Sequence, residues 1–163
     1  MNGPPPGRPR NNCMAFAAPS LKGRALRLLA QREHSRVELE RKLAKYEEEP
    51  GTLAKALDEL QARDFLNDTR VVQSVLHQRA GRLGAMRLRQ ELQQKGIDAE
   101  AISSAMEQLK DTELERAREV WQRRFGELPA DAAERSRQTR FLLARGFSGA
   151  IVGRVLKGAA DEF

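Results

Sequence analysis

Apolar residues recur along this chain with the period of an α-helix, and the recurring block is itself repeated. The stretch 88–109 shows the unit most clearly. Leu88 and Leu92 lie one turn apart, and Gly96 follows Lys95 where a left-handed residue commonly ends a helix. Ile97 packs back over the joint, Asp98 is placed to cap a second helix, and Ile102, Met106 and Leu109 form its i, i+4, i+7 stripe. Moved back 49 positions, Leu88, Leu92, Ile102, Met106 and Leu109 fall on Leu39, Leu43, Leu53, Leu57 and Leu60. Moved forward 50, Leu92, Gly96, Ile97, Ile102 and Met106 fall on Leu142, Gly146, Phe147, Val152 and Leu156. The correspondence breaks at Gln138, under Leu88, and at Ala159, under Leu109. A fixed period of this length marks a repeat architecture.

The pattern predicts nine helices in three triplets. Repeat 1, residues 21–68, begins with a helix over 21–33 carrying Ala25, Leu28 and Leu29. A Ser35…Glu38 capping box opens the next, which continues to about residue 48 through Leu39, Leu43 and Tyr46. After a Pro50-Gly51 turn, Thr52 caps a third helix with Leu53, Leu57 and Leu60. Repeat 2, residues 69–111, reads as helices over 69–82, 85–95 and 99–110. Repeat 3, residues 112–163, opens with a Thr112…Glu115 capping box before Ala117, Val120, Trp121 and Phe125. Asp131…Glu134 starts its second helix after Pro129, Gly146 stops that helix, and Ser148 caps the last. Residues 1–20 hold five prolines, Arg8 and Arg10 and no acid, the composition of a disordered basic tail. One triplet buries little surface alone, so each should lean on its neighbour. The expected fold is all-α, three tandem three-helix repeats in an elongated, curved array.

Composition narrows the function classes. The chain is 32% charged and 5% aromatic, which suits a helical protein with much exposed surface. Cys13 is the single cysteine, so no internal disulfide forms. No apolar run reaches the ~20 residues of a membrane helix, and no apolar signal core is present. These features point to a soluble, cytoplasmic monomer. His34 and His77 lie far apart and no His/Cys/Asp/Glu group has metal spacing, so neither metal nor cofactor is expected. His34 reads as a helix-end residue, while Trp121 and the phenylalanines sit at core spacing. No catalytic constellation appears, and the chain reads as a non-enzyme.

Charge is the remaining clue. The net charge is +6, spread so that no segment is a strong basic block. A cation with an acid one helical turn away is usually part of a solvated face, so the cations lacking one are the candidates. Arg32, Arg79, Arg82, Arg89, Arg140 and Arg145 satisfy that filter, whereas Arg116, Arg118, Arg123 and Arg124 do not. Arg79, Arg82 and Arg89 share a face if helical geometry runs through the Gly81–Gly84 joint. Unpaired arginines from separate helices that meet in a groove would bind phosphates or carboxylates.

Three blocks also carry a resemblance. Leu28-Leu29-Ala30-x-Arg32-x-His34-Ser35-Arg36-x-Glu38-Leu39-x-x-Lys42-Leu43 resembles the N-terminal signature of the RecX family of recombination regulators. Glu91-Leu92-x-x-Lys95-Gly96-Ile97 is similar to its middle block, and Arg140-Phe141-Leu142-x-x-Arg145-Gly146-Phe147 to its C-terminal block. The likeness spans about residues 21–158. One joint departs from it: Asp64 stands where the family usually has glycine, at a position that strains a residue with a Cβ. The resemblance implies three tandem three-helix units and a non-enzymatic role. It implies binding to the RecA nucleoprotein filament, with inhibition of its ATPase and strand exchange. Single- or double-stranded DNA is a second candidate partner. A direct nucleic-acid binder and a plain helical scaffold are the rival readings.

Overall fold

The computed structural model describes residues 17–158; the proline-rich segment and Cys13 lie outside them, apart from 17–20. The described residues form helices α1 (Leu21–Gln31), α2 (Arg36–Leu43), α3 (Thr52–Ala62), α4 (Asp68–Arg79), α5 (Ala85–Gln94), α6 (Ala99–Lys110), α7 (Glu113–Arg124), α8 (Ala132–Ala144) and α9 (Gly149–Lys157), with no strand among them. Short polar side chains start most of these helices by accepting an otherwise unpaired amide. Ser20, Asn67, Asp98, Asp131 and Ser148 each accept the amide three residues on. Ser35 and Glu38 form the reciprocal capping box of α2.

Four starts or stops differ from the sequence expectation. α2 ends at Leu43, and Ala44–Tyr46 tightens into a 3-10 turn that leaves Tyr46 39% exposed. Thr52 does not cap α3. Gly51, at φ 89°, is the cap residue, and Glu47 Oε1 accepts the amides of Gly51 (2.9 Å) and Leu53 (3.0 Å) instead. Thr112 is already helical and its hydroxyl donates to Leu109 O, so the second capping box is absent. α4 stops at Arg79, which breaks the continuous face on which Arg79, Arg82 and Arg89 were expected to align.

Each triplet closes its own core. Ala25, Leu39, Leu43, Leu53, Leu57, Leu60 and Leu66 form the first. Val71, Val72, Val75, Leu76, Leu88, Leu92, Ile97, Ile102, Ala105 and Met106 form the second, and Ala117, Val120, Leu142, Phe147, Val152, Val155 and Leu156 the third. The most extensive helix–helix packing, such as α1 on α3, α5 on α6 and α7 on α9, lies inside a triplet. Gln138, where repeats 1 and 2 have leucine, is buried too. Its Oε1 accepts Trp121 Nε1–H at 2.8 Å and its Nε2 donates to Glu127 O at 3.1 Å, so the odd residue ties the loop before α8 to the core.

Successive triplets meet through equivalent joints. Gly96 (φ 73°) and Gly146 (φ 89°) end α5 and α8, and each presses on the start of the preceding repeat's second helix. A Cβ at Gly96 would collide with the Val37 side chain, and one at Gly146 would lie 2.5 Å from Arg87 N. The corresponding residue of repeat 1, Glu47, is in ordinary extended backbone. Asp64 alone of the described non-glycine residues has positive φ, at 60°. Its carboxylate accepts Asn67 Nδ2 (2.7 Å) and Arg70 Nη1 (2.9 Å), bonds that offset the strain glycine would avoid.

Candidate functional site

The two joints are built from different chemistry. Between repeats 1 and 2 charged side chains make the polar contacts: Lys95 Nζ to Glu38 Oε1 at 2.8 Å, Arg70 Nε to Glu33 Oε1 at 3.0 Å, and Arg41 Nη1 to the Gln94 carbonyl at 3.2 Å. Burial pushes the Glu38 carboxyl up, but hydrogen bonds from Lys95, the Ser35 amide and Arg32 outweigh it and hold the pKa at about 2. Between repeats 2 and 3 the backbones touch. Gly84 N donates to Arg145 O at 2.8 Å and Met86 N to Gly146 O at 3.1 Å. Arg116 locks this joint: Nη1 donates to Ala80 O (2.8 Å) and Leu83 O (2.9 Å), and Nη2 to Leu109 O (3.3 Å). Burial lowers the Arg116 pKa. Its role is structural, where the sequence suggested a solvated ion pair.

Above that second joint four arginines surround a cleft of about 340 Å³. Arg82 comes from the turn after α4, Arg123 and Arg124 from the end of α7, and Arg145 from the end of α8, around Val120 and Phe141. Phe125 and Phe141 meet edge to face at 5.2 Å, and the Arg145 and Arg124 guanidinium groups lie 4.5 and 5.8 Å from the Phe141 and Phe125 centroids. Stacking holds a guanidinium in place while leaving its N–H edge open to oxygen acceptors. Among the described residues, only Arg123 of these four is ion-paired, to Glu119 at 3.1 Å.

The six arginines picked from the sequence do not meet in one groove. Arg82 and Arg145 share the cleft just described. Arg32 and Arg79 line a separate cavity between repeats 1 and 2. Each has an acid brought to it by the fold, Glu38 at 3.0 Å for Arg32 and Glu91 at 3.9 Å for Arg79. Arg89 is exposed and lines neither cavity; Arg140 is exposed, with Nε 3.4 Å from Ser136 O. Glu119 and Glu127 stand one turn from Arg123 and Arg124, so helical spacing alone marks both arginines as part of a solvated face. The adjacent arginine pair between Trp121 and Phe125 was the available signal. A larger cavity, about 660 Å³, is lined in repeat 3 by Trp121, Leu128 and Val155. Among the described residues no His, Cys, Asp or Glu group could hold a metal ion, and no helix is long and apolar enough to cross a membrane.

Three closed three-helix cores in series, with cations gathered at the joints, define a tandem helical-repeat protein. The chain belongs to the RecX family: it matches that family's first three-helix domain over residues 22–60, the second over 67–106 and the third over 111–156. It is 56% identical to the regulatory protein RecX of Leptothrix cholodnii over 143 residues, 88% of this chain and 91% of that one. It is 49% identical to that of Ralstonia nicotianae over 140 residues, covering 86% and 88%. A crystal structure of RecX from Lactobacillus salivarius superposes with a TM-score of 0.70 at 20% identity, covering 84% of this chain and 92% of that one. Another, of regulatory protein RecX, gives 0.72 at 20% identity, covering 84% and 71%. These two likenesses are of fold. The relatives are named as regulatory proteins.

Proposed function

We propose that this protein is a non-enzymatic regulator that binds the RecA nucleoprotein filament and inhibits its ATPase and strand exchange, and so modulates DNA repair and recombination. The observation that carries the reading is the four-arginine cleft at the joint of repeats 2 and 3, in a chain that matches all three RecX domains. A filament of protein on nucleic acid offers rows of carboxylates and phosphates, and arginine recognises both through paired N–H donors. Arg82, Arg123, Arg124 and Arg145 are the central contacts in this reading. Arg89 and Arg140 are exposed, outlying contacts. Arg32 and Arg79 contribute only after exchanging their partners Glu38 and Glu91 for the filament's acids. An array of small cores joined at narrow contacts can follow a long curved surface, each repeat adding weak contacts.

The test is the ATPase of RecA on single-stranded DNA, with this protein added well below RecA stoichiometry. The expected result is a graded fall in ATP hydrolysis. An unchanged rate at ratios up to one per RecA would refute the reading.

A further inference from the structure

Repeat 1 carries a second cluster of cations that plays no part in the reading above. Residues 21–68 have zero net charge, and the one sign of it in the sequence is that Arg24 and Arg27 have no acid one helical turn away. Folding separates the charges. Glu33, Glu38, Glu40, Asp58, Glu59 and Asp64 are all engaged in ion pairs, with Arg70, Lys95, Arg32, Arg36 and Lys22. Glu47 is turned in to cap α3. Of the cations left over, Arg41, Lys55 and Arg63 lie elsewhere, and four face one cleft of about 310 Å³, lined by Arg24 and Arg27 from α1 and Lys42, Lys45 and Tyr46 from the end of α2 and its 3-10 turn; the exposed Glu48 and Glu49 follow in the chain but do not line it. No carboxylate lines it, and Arg24, Arg27, Lys42 and Lys45 form no ion pair among the described residues.

Three of the four cations in this cleft, Arg24, Lys42 and Lys45, have a neutral partner within repeat 1. Tyr46, the single tyrosine, has the Arg24 guanidinium 3.8 Å and the Lys45 ammonium 5.0 Å from its ring centroid. Lys42 Nζ donates to His34 Nε2 at 3.3 Å, and the buried His34 donates its Nδ1–H to Arg32 O at 3.0 Å. That pairing needs a neutral imidazole, and burial lowers the His34 pKa from its ordinary value. Four like charges in one cleft repel, which costs folding free energy unless an anion relieves it. An exposed ring among lysines and arginines, with no apolar floor beyond Leu28 and Leu43, suits a flexible strand of closely spaced charges.

We infer that the Arg24–Arg27–Lys42–Lys45 cleft around Tyr46 binds the phosphate groups of a single-stranded nucleic acid, at a site separate from the four-arginine cleft. The inference does not involve RecA, so its test stands apart from the ATPase experiment. Full-length protein carrying ring-labelled tyrosine gives NMR signals from Tyr46 alone. An oligothymidylate at low salt should shift those signals to saturation, while inorganic phosphate or poly-glutamate should shift them only at far higher concentration. In the Arg27→Glu/Lys45→Glu variant both changed residues are exposed, so the far-UV circular dichroism and melting should match wild type. Its affinity for the oligonucleotide should fall about tenfold or more, and the slope of log affinity against log salt should flatten by about 1.4, for two lost phosphate contacts. Tyr46 signals that stay fixed while the oligonucleotide binds elsewhere, or no binding at all, would overturn the site. An equal response to poly-glutamate would overturn the nucleic-acid assignment in favour of an acidic protein. An oligonucleotide no tighter than free phosphate would overturn the strand.

Discussion

Three glycines allow the repeat joint to be tested in separate parts. Gly51 has φ 89° but open space around it, so alanine there meets only the left-handed backbone penalty, ~1 kcal/mol. Gly84 has an ordinary φ of −79°, but a Cβ would collide with the backbone of Gly146 and Phe147. Alanine there carries no conformational strain and still must part the joint, at ~1–3 kcal/mol. Gly146 combines both, with φ 89° and the Arg87 backbone 2.5 Å from its Cβ position, so Gly146→Ala should cost ~2–4 kcal/mol. Opening the joint also weakens the Gly84–Arg145 and Met86–Gly146 hydrogen bonds, each worth ~1 kcal/mol. Urea unfolding followed by far-UV circular dichroism reads the whole chain, while fluorescence of Trp121, the single tryptophan, reads repeat 3. Gly146→Ala should move the Trp121 transition to lower urea, and Gly51→Ala should leave it nearly in place. If Gly84→Ala unfolds with wild type, or Gly146→Ala costs no more than Gly51→Ala, the backbone contact between repeats 2 and 3 does not hold them together.

Three further outcomes follow from single residues. Glu38 has a folded pKa of about 2 against an ordinary 4.5, so its stabilisation is full above the ordinary value and is lost as pH falls toward 2. Wild type should therefore lose ~2–3 kcal/mol more than Glu38→Gln between pH 6 and pH 2, measured as urea midpoints, and parallel pH profiles would contradict this. Arg116→Ala leaves the Ala80 and Leu83 carbonyls without their donor, while Leu109 O keeps Thr112, and should cost ~2–4 kcal/mol by the same measurement; a cost below ~1 kcal/mol would mean water replaces the guanidinium freely. Gln138→Leu restores the leucine of the other repeats yet strands Trp121 Nε1–H and Glu127 O, so it should destabilise by ~1–3 kcal/mol and red-shift Trp121 emission, whereas a stabilised variant would refute the tie.

Local signals were legible in the sequence and tertiary ones were not. The Ser35–Glu38 box, the Asp98, Asp131 and Ser148 caps and the Gly96 and Gly146 stops depend on residues within four positions of one another, and they fold as the pattern predicts. Thr112 has the same spacing to a glutamate, but the preceding chain arrives already helical, so its hydroxyl turns to Leu109 O. The arginine filter looked one turn along a helix. It therefore missed Glu38 for Arg32 and Glu91 for Arg79, which arrive from other elements. It discarded Arg123 and Arg124 for local acids, although the fold turns both toward the cleft. Gln138 looked like a break in the repeat because only the folded structure brings Trp121 and Glu127 to it.

The most direct measurement of the central claim is the affinity of stability-matched variants for RecA filaments on single-stranded DNA. Arg82→Glu/Arg145→Glu reverses two charges in the cleft above the second joint, and Lys55→Glu/Arg63→Glu makes the same charge change on exposed residues that line none of the clefts described here. The account predicts that the cleft variant binds at least about tenfold more weakly, as expected for lost arginine contacts to an anionic surface, while the control stays within about threefold of wild type. Equal losses in the two variants would show that net charge alone governs binding and that the cleft is not the contact.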